Sequence, residues 1–415
     1  MSQSSKAVYI LGGAQTDFAR SWSREGLKID ALMSAALFDG LNSTGLEPRH
    51  IQSAHIGNFT AELFCNQGQL GGIFAGLHPD LSGVPASRHE AACASGSMAM
   101  LSAMAEIEAG RYDLVCVLGV EYMRNVPGQT ASEYLAVAAY ADREWTDERY
   151  LWPAAFSDLN DAYSEKYGPV DYCHLGEIAR INYQNGRRNP NSQTRSWTFS
   201  DRNFIADDDA NPVIAGKVRR FDCGQITDGA AVVFLASETR ARDYAKTHGM
   251  TLNGLARIDG WGHRTAPMLF TDKLQESRNS AYVLPQVQQT IQDSFSRAGV
   301  SSVFELDAIE THDCFTMTEY AAIDSFGITA PGESWKAVEN GVIAADGRLP
   351  VNPSGGLIGL GHPVGATGVR MMLDGYKQVT GRAADCQVEG AHKVGLLNIG
   401  GSTTTIASFV VGTAT

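Results

Sequence analysis

Cys93 stands in the string HEAACASGSMAM, followed by small residues and then a helix-forming run. A thiol at the first turn of a helix meets the positive end of the helix dipole and unpaired backbone N–H groups, both of which favour its thiolate. The string therefore predicts a nucleophile, and Ala91, Ala92, Ala94, Ser95 and Gly96 leave room for an acyl group close to the backbone. The other fate open to such a residue is that of a buried core cysteine. Three further features could join it in one chemistry: His312-Asp313-Cys314-Phe315, the turn Gly361-His362-Pro363, and Asn398-Ile399-Gly400-Gly401. A histidine in a Gly/Pro turn has little bulk around it and suits a general base aimed at a thiol. Its alternative is a structural turn ahead of a helix. The ladder NPSGGLIGLGHPVGATG does not fit GxGxxG between a strand and a helix, which excludes a dinucleotide loop. The remaining histidines, among them His55, His174 and His263, read as packed or surface residues.

The elements that must hold these residues alternate. Runs rich in β-branched residues (AVYILGG, DLVCVLGVE, AAVVFLAS, LDAIETHD, KVGLLNIGG) are separated by helical stretches such as IDALMSAALFDGL and VLPQVQQTIQDSFSRAG. This predicts an α/β chain with layered, largely parallel sheets. The chain also echoes itself: 13 positions separate Gly45 from Asn58, and again Gly299 from His312, each span running from a helix end through a strand to a polar residue. A second parallel pairs CASGSMA and VLGVE with GHPVGATG and LNIGG. Two similar halves are expected, residues 1–125 with 221–275 and residues 276–415. Residues 126–220, crowded with Tyr, Trp, Asn, Arg and Pro, read as an inserted domain of loops and short helices.

Composition sets the bounds. With 415 residues the chain can bury a large core. A net charge of −13 with scattered Lys and Arg argues against a nucleic-acid or anionic-membrane surface. The longest apolar runs are far short of a membrane span, and neither a signal core nor a peroxisomal tripeptide is evident, so a cytoplasmic protein is expected. Seven cysteines without a CxxC pair suit a reducing compartment and give no zinc spacing. The run Asp207-Asp208-Asp209 reads as a solvated loop, and no metal is expected.

Taken in order, CNQGQLGGIFAGL, EAACASGSMA, GVEYMRNVP, DCGQITDGAAVV, HDCF, NPSGGLIGLGHPVGATG and LNIGG resemble the thiolases, and among them most the sterol carrier protein 2 type. The strings run from about residue 56 to 401. The resemblance implies a five-layer αβαβα fold, acylation of Cys93, activation by His362, and an oxyanion held by the backbone N–H groups of Cys93 and Gly400. The commoner thiolases read NEAF where His312 begins HDCF, and carry a second catalytic cysteine where Asn398 stands. In the sterol carrier protein 2 type, Cys314 is expected to replace that thiol as acid/base, with His312 and His362 forming the enolate oxyanion hole. Coenzyme A enters as a co-substrate rather than a bound cofactor. Arg187, Arg188, Lys217, Arg219 and Arg220 are candidates for its phosphates, with solvated surface charge as the alternative. The family commonly places a serine against the pantetheine arm where Gly224 stands, so carrier recognition is expected to differ. A homodimer or homotetramer acting on acyl-CoA in lipid and fatty acid metabolism is implied. Two rivals remain at this point: a ketosynthase-like condensing enzyme fed by an acyl carrier, and a non-catalytic acyl-CoA-binding subunit.

Overall fold

The computed structural model describes residues 6–413. Nine strands make one sheet: β1 Val8–Gln15, β2 Ser53–Gly57, β3 Ala86–His89, β4 Leu114–Glu121, β5 Gly229–Ser237, β6 Ala256–Thr265, β7 Ala308–Thr311, β8 Lys393–Gly400 and β9 Thr405–Thr413. The helices that bear on the site are α1 Ile29–Thr44, α2 Ser95–Glu108, α3 Leu151–Tyr167, α4 Tyr172–Arg188, α5 Glu238–Thr247, α6 Phe270–Ser277, α7 Pro285–Ala298, α8 Thr316–Ser325 and α9 Thr367–Val379.

The strand order, β3-β2-β4-β5-β1-β6-β9-β8-β7, contains the duplication. Read outward from the middle, β1-β5-β4-β2 is matched by β6-β9-β8-β7. Val351 bridges Ile309 in parallel, as β3 pairs with β2. The two halves join where Val8–Ile10 pair with Ala256–Ile258. Gly45 and Gly299, which open the repeated spacing, end α1 and α7 in the left-handed conformation at φ 68° and 67°. Asn58 and His312, which close it, each follow the next strand of their half.

Alternation of side chains along the strands sorts the core into layers. Leu32 and Leu37 of α1 and Tyr244 of α5 cover one face of the first half-sheet through Leu11, Ile56 and Phe234. Its other face, through Val115 and Val233, meets Met100 and Met104 of α2 and Met372 and Leu373 of α9, which also contact Leu396 and Phe409 of the second half-sheet. The next residue along β8, Leu397, points the opposite way, into the core built on α7 and α8. The result is the expected αβαβα order with α2 and α9 at the centre. Their N-terminal ends touch through glycine. A Cβ on Gly96 would lie 2.9 Å from the Gly365 carbonyl oxygen and the Val369 nitrogen, and one on Gly368 would lie 2.4 Å from the Ser97 nitrogen.

Two expectations change. The sheet is not largely parallel: three of its pairings are parallel (β2 with β3, β2 with β4, β7 with β8) and five are antiparallel. Alternating helix and strand fixes strand direction only across a direct crossover. Here β8 and β9 are joined by a tight Gly-Ser-Thr-Thr turn, and β4 and β5 are separated by the long excursion of residues 122–228. That excursion is also not merely loops and short helices, since α3 and α4 have 17 residues each. The buried face of α4 includes Asn182, Asn185 and Gly186 beside Leu175 and Ile178, which hides the apolar period that marks a helix.

Candidate active site

The chain reaches Cys93 through a strained, locked turn. Ala92 is left-handed at φ 50°, a conformation that costs a non-glycine residue about 1–2 kcal/mol. The turn is held by its own neighbours: the Ala92 N–H donates to the Glu90 carboxylate (2.7 Å), the Ala91 N–H to the Ser95 hydroxyl (2.9 Å), and that hydroxyl to the Ala92 carbonyl (2.6 Å). Cys93 thus emerges one turn ahead of α2.

The other half of the chain supplies its partners. Nε2 of His362 lies 3.3 Å from the Cys93 sulfur, and Nδ1 lies 2.7 Å from the Thr367 hydroxyl oxygen. That hydroxyl donates to the Pro363 carbonyl (3.1 Å), so its oxygen accepts from Nδ1–H and leaves Nε2 as a lone pair facing the thiol. The backbone N–H of His362 donates to Thr227 (3.0 Å), fixing the turn against the first half. His312 is set in the opposite sense. Asn398 donates through Nδ2 to the Cys93 carbonyl (3.1 Å) and to Nδ1 of His312 (3.1 Å), while its Oδ1 accepts from Ser97 (2.7 Å). An amide nitrogen can only donate, so Nδ1 of His312 accepts and its Nε2 carries the proton. One imidazole is built as a base and the other as a hydrogen-bond donor, with ring centroids 5.4 Å apart, edge to face.

Cys93, Cys314 and His362 line one cavity of about 350 Å³, walled mainly by apolar side chains such as Met123, Trp152 and Phe156. The Cys314 thiol lies 3.6 Å from the Thr318 hydroxyl, and the Cys314 carbonyl accepts from the Gly224 N–H (2.8 Å). Gly224 lines the cavity without a side chain. Gly400, expected to offer its N–H to an oxyanion, lies hard against the nucleophile turn. A Cβ there would lie 2.2 Å from the Ala91 carbonyl oxygen, so Gly400 lets β8 press against the nucleophile turn. Gly401, the next residue, lines the cavity beside Cys93.

Electrostatics correct one expectation. Burial outweighs the helix dipole and pushes the Cys93 thiol up to about 12, even though the N–H groups of Gly401 and Cys93 itself oppose that rise. Burial, helped by the positive charge of Arg370, brings His362 down to about 3. His312 is held well below the usual range by burial and by His362 and Arg370, and burial raises Cys314 well above the thiol range. The resting site is a neutral thiol beside a neutral imidazole.

Behind it lies a buried polar scaffold that sequence reasoning missed. Asp313 accepts from the N–H groups of Leu357 (2.6 Å) and Ile358 (3.1 Å), anchoring the glycine ladder to the HDCF turn. Asn182 donates to Asp313 (3.0 Å) and Glu319 (2.7 Å). Arg370, fully buried in α9, pairs with Asp374 (2.9 Å) and Glu310 (3.3 Å). On the first half, Glu121 accepts from the N–H groups of Phe59 (2.8 Å) and Gly365 (3.0 Å), tying β4 to the turn of His362. Asp313 and Glu121 sit inside motif strings, yet only the fold reveals what they hold.

The basic residues divide. Arg220 lines the cavity. Lys217 pairs with Asp161 (2.6 Å) and Arg219 with Asp208 (2.8 Å), while Arg187 donates to the Trp197 carbonyl and Arg188 to Asn185. Asp207 and Asp209 face Arg202. Among the described residues, the one cluster with metal-ligating geometry is Cys93, His312 and His362, whose donor atoms lie within 4.8 Å of one another. The Asn398 amide, however, leaves His312 with a proton on the nitrogen that a metal would need. The donor set fits a hydrogen-bonding role better than a metal centre. No described helix is long and apolar enough to cross a membrane.

Known proteins carry the same pattern. Residues 8–168 match the family described as thiolase, N-terminal domain, and residues 270–413 that described as thiolase C-terminal domain-like. An acetyl-CoA acetyltransferase of Methanothermobacter thermautotrophicus is 30% identical over 96% of this chain and 98% of its own. Sterol carrier protein 2 of Gallus gallus is 25% identical over 98% of this chain and 72% of its own. A solved structure described as an Ltp2-ChsH2(DUF35) aldolase superposes with a TM-score of 0.78 at 19% identity, covering 98% of each chain, which speaks to fold alone. The chain belongs to the thiolase family.

Proposed function

We propose that the protein is an acyl-CoA C-acyltransferase that cleaves 3-oxoacyl-CoA with coenzyme A, or runs the reverse Claisen condensation, through an acyl group on Cys93. The observation that carries this reading is the contact of 3.3 Å between the Cys93 sulfur and the His362 lone pair, at the wall of an apolar cavity shared with a second thiol. In cleavage, His362 takes the Cys93 proton as sulfur attacks the 3-oxo carbon. The N–H groups of Cys93 and Gly400 receive the oxygen of the tetrahedral adduct. As the carbon–carbon bond breaks, the departing acetyl-CoA enolate is held by His312 Nε2–H and His362, and Cys314 protonates its carbon. Coenzyme A then takes the acyl group from Cys93, and its thiol proton restores the resting state. Cys314 as a neutral thiol is the form that cleavage consumes.

Of the basic residues, Arg220 is the one assigned to the carrier, because it borders the cavity. A homodimer or homotetramer is part of this reading, supported by β3, a short terminal strand with one unpaired edge. A cytoplasmic setting is supported by seven free cysteines. A carrier-fed ketosynthase has no need of Cys314 as a proton donor, and an aldolase forms no acyl-cysteine. The test is a thiolysis panel of short, long and branched 3-oxoacyl-CoA substrates with coenzyme A as acceptor. Turnover on at least one supports the reading, and none on any overturns it.

A further inference from the structure

Lys273 of α6 is buried at 3% exposure, outside the residues already placed in the chemistry. Its ammonium donates to the Met268 carbonyl (3.1 Å), the Ser402 hydroxyl (2.7 Å) and the Thr404 hydroxyl (2.9 Å). All three partners are neutral oxygens. Two of them belong to the turn between β8 and β9, where Gly401 at φ 63° and Thr403 at φ 65° are both left-handed. This turn follows directly on Gly400, where a Cβ would lie 2.2 Å from the Ala91 carbonyl oxygen of the nucleophile turn, and its first residue, Gly401, lines the cavity beside Cys93. The Glu144 carboxylate is near enough to favour the charge, but no carboxylate among the described residues lies within ion-pair distance, so burying this ammonium is costly and methionine would fill the same space without that cost. The charge is retained where it grips a strained turn beside the nucleophile.

We propose that Lys273 is a positioning residue: by holding Ser402 and Thr404 from behind, it keeps the backbone of Gly400 and Gly401 pressed against the nucleophile turn, where negative oxygen develops on the Cys93 adduct. Resting on the reading of the site given above, the inference adds a residue distant in sequence from every motif of that site. A preorganised donor matters in the transition state and little in substrate binding, so the effect belongs in kcat.

The experiment compares wild type with Lys273→Met and Ser402→Ala, following acylation of Cys93 by acetoacetyl-CoA with rapid quench and mass spectrometry. Steady-state constants, thermal melting and Cys93 alkylation by iodoacetamide are measured alongside. The expected result for Lys273→Met is a loss of roughly tenfold to a hundredfold in acylation rate and kcat, with KM within about twofold of wild type. Melting should be unchanged or raised. Alkylation, which forms no oxyanion, should keep its wild-type rate. Ser402→Ala, which leaves the ammonium in place, should lose severalfold, and it carries the test alone if Lys273→Met fails to fold. Wild-type acylation rates in the folded variants, or equal loss of acylation and alkylation, would overturn the inference while leaving the acyl-cysteine reading intact. A wild type that forms no adduct sinks that reading and this inference together.

Discussion

A buried thiol beside a buried imidazole can rest as an ion pair or as two neutral groups, and the surroundings of Cys93 decide for the neutral pair. With the thiol pushed to about 12 and His362 down to about 3, proton transfer belongs to the attack itself rather than to the resting enzyme. The rate of Cys93 alkylation by iodoacetamide should therefore keep rising with pH through pH 9, as the small thiolate fraction grows. A plateau reached near neutrality would indicate a preformed thiolate–imidazolium pair instead. Cys314 has a separable role: Cys314→Ala should still acylate Cys93 from acetyl-CoA but lose about 10²-fold or more in acetoacetyl-CoA turnover, the usual weight of a general acid/base. Unchanged turnover would remove it from the mechanism. Cys93, His312, Cys314 and His362 were legible because each stands in an ordered string of small or paired residues. The Thr367 and Asn398 contacts were not, because the choice between imidazole tautomers depends on hydrogen bonds that form only once the second half has folded.

At the level of elements, the site depends on how closely α2 and α9 approach, since one carries Cys93 at its start and the other follows His362. Gly96 and Gly368 permit that approach. Gly368→Ala puts a methyl group against the Ser97 backbone and should destabilise the fold by roughly 1–3 kcal/mol, visible as a lower thermal midpoint. A similar change at Gly72, where an added Cβ meets nothing within 4 Å, should not. The duplication was readable from the spacing of Gly45 to Asn58 and Gly299 to His312, because a left-handed helix end followed by a strand has a fixed length. Strand direction was not, since helix and strand periodicity says nothing about which way a distant strand runs. The helices of residues 151–188 were hidden for a different reason: Asn182 and Asn185 spend buried positions on hydrogen bonds to Asp313, Glu319 and the Asn352 carbonyl, and so read as loop residues.

The whole molecule buries titratable groups of both kinds, and their signs predict its acid–base stability. Burial raises Glu121 and Glu310 to about 7 and Glu319 to about 8, so the folded chain keeps protons that the unfolded chain releases above about 4.5. Stability from these groups falls as pH rises from 4.5 towards 8. His362 at about 3 and His89 at about 4 act in reverse, because the unfolded chain takes up their protons below about 6.5 and the folded chain does not. Their stability falls as pH drops below 6.5. Calorimetric midpoints should therefore peak between about pH 4.5 and 6.5 and decline on both sides, and a peak above pH 8 would contradict this balance. Light scattering should find a dimer or tetramer, and a monomer at micromolar concentration would remove oligomerisation from the account. The chemistry comes down to one sulfur, and mixing the protein with acetyl-CoA or acetoacetyl-CoA, quenching in acid and mapping the adduct by mass spectrometry shows whether it is acylated. An acetyl group should appear on Cys93, absent in Cys93→Ala and formed far more slowly in His362→Ala. An unmodified Cys93, or an adduct elsewhere that survives Cys93→Ala, would contradict this chemistry.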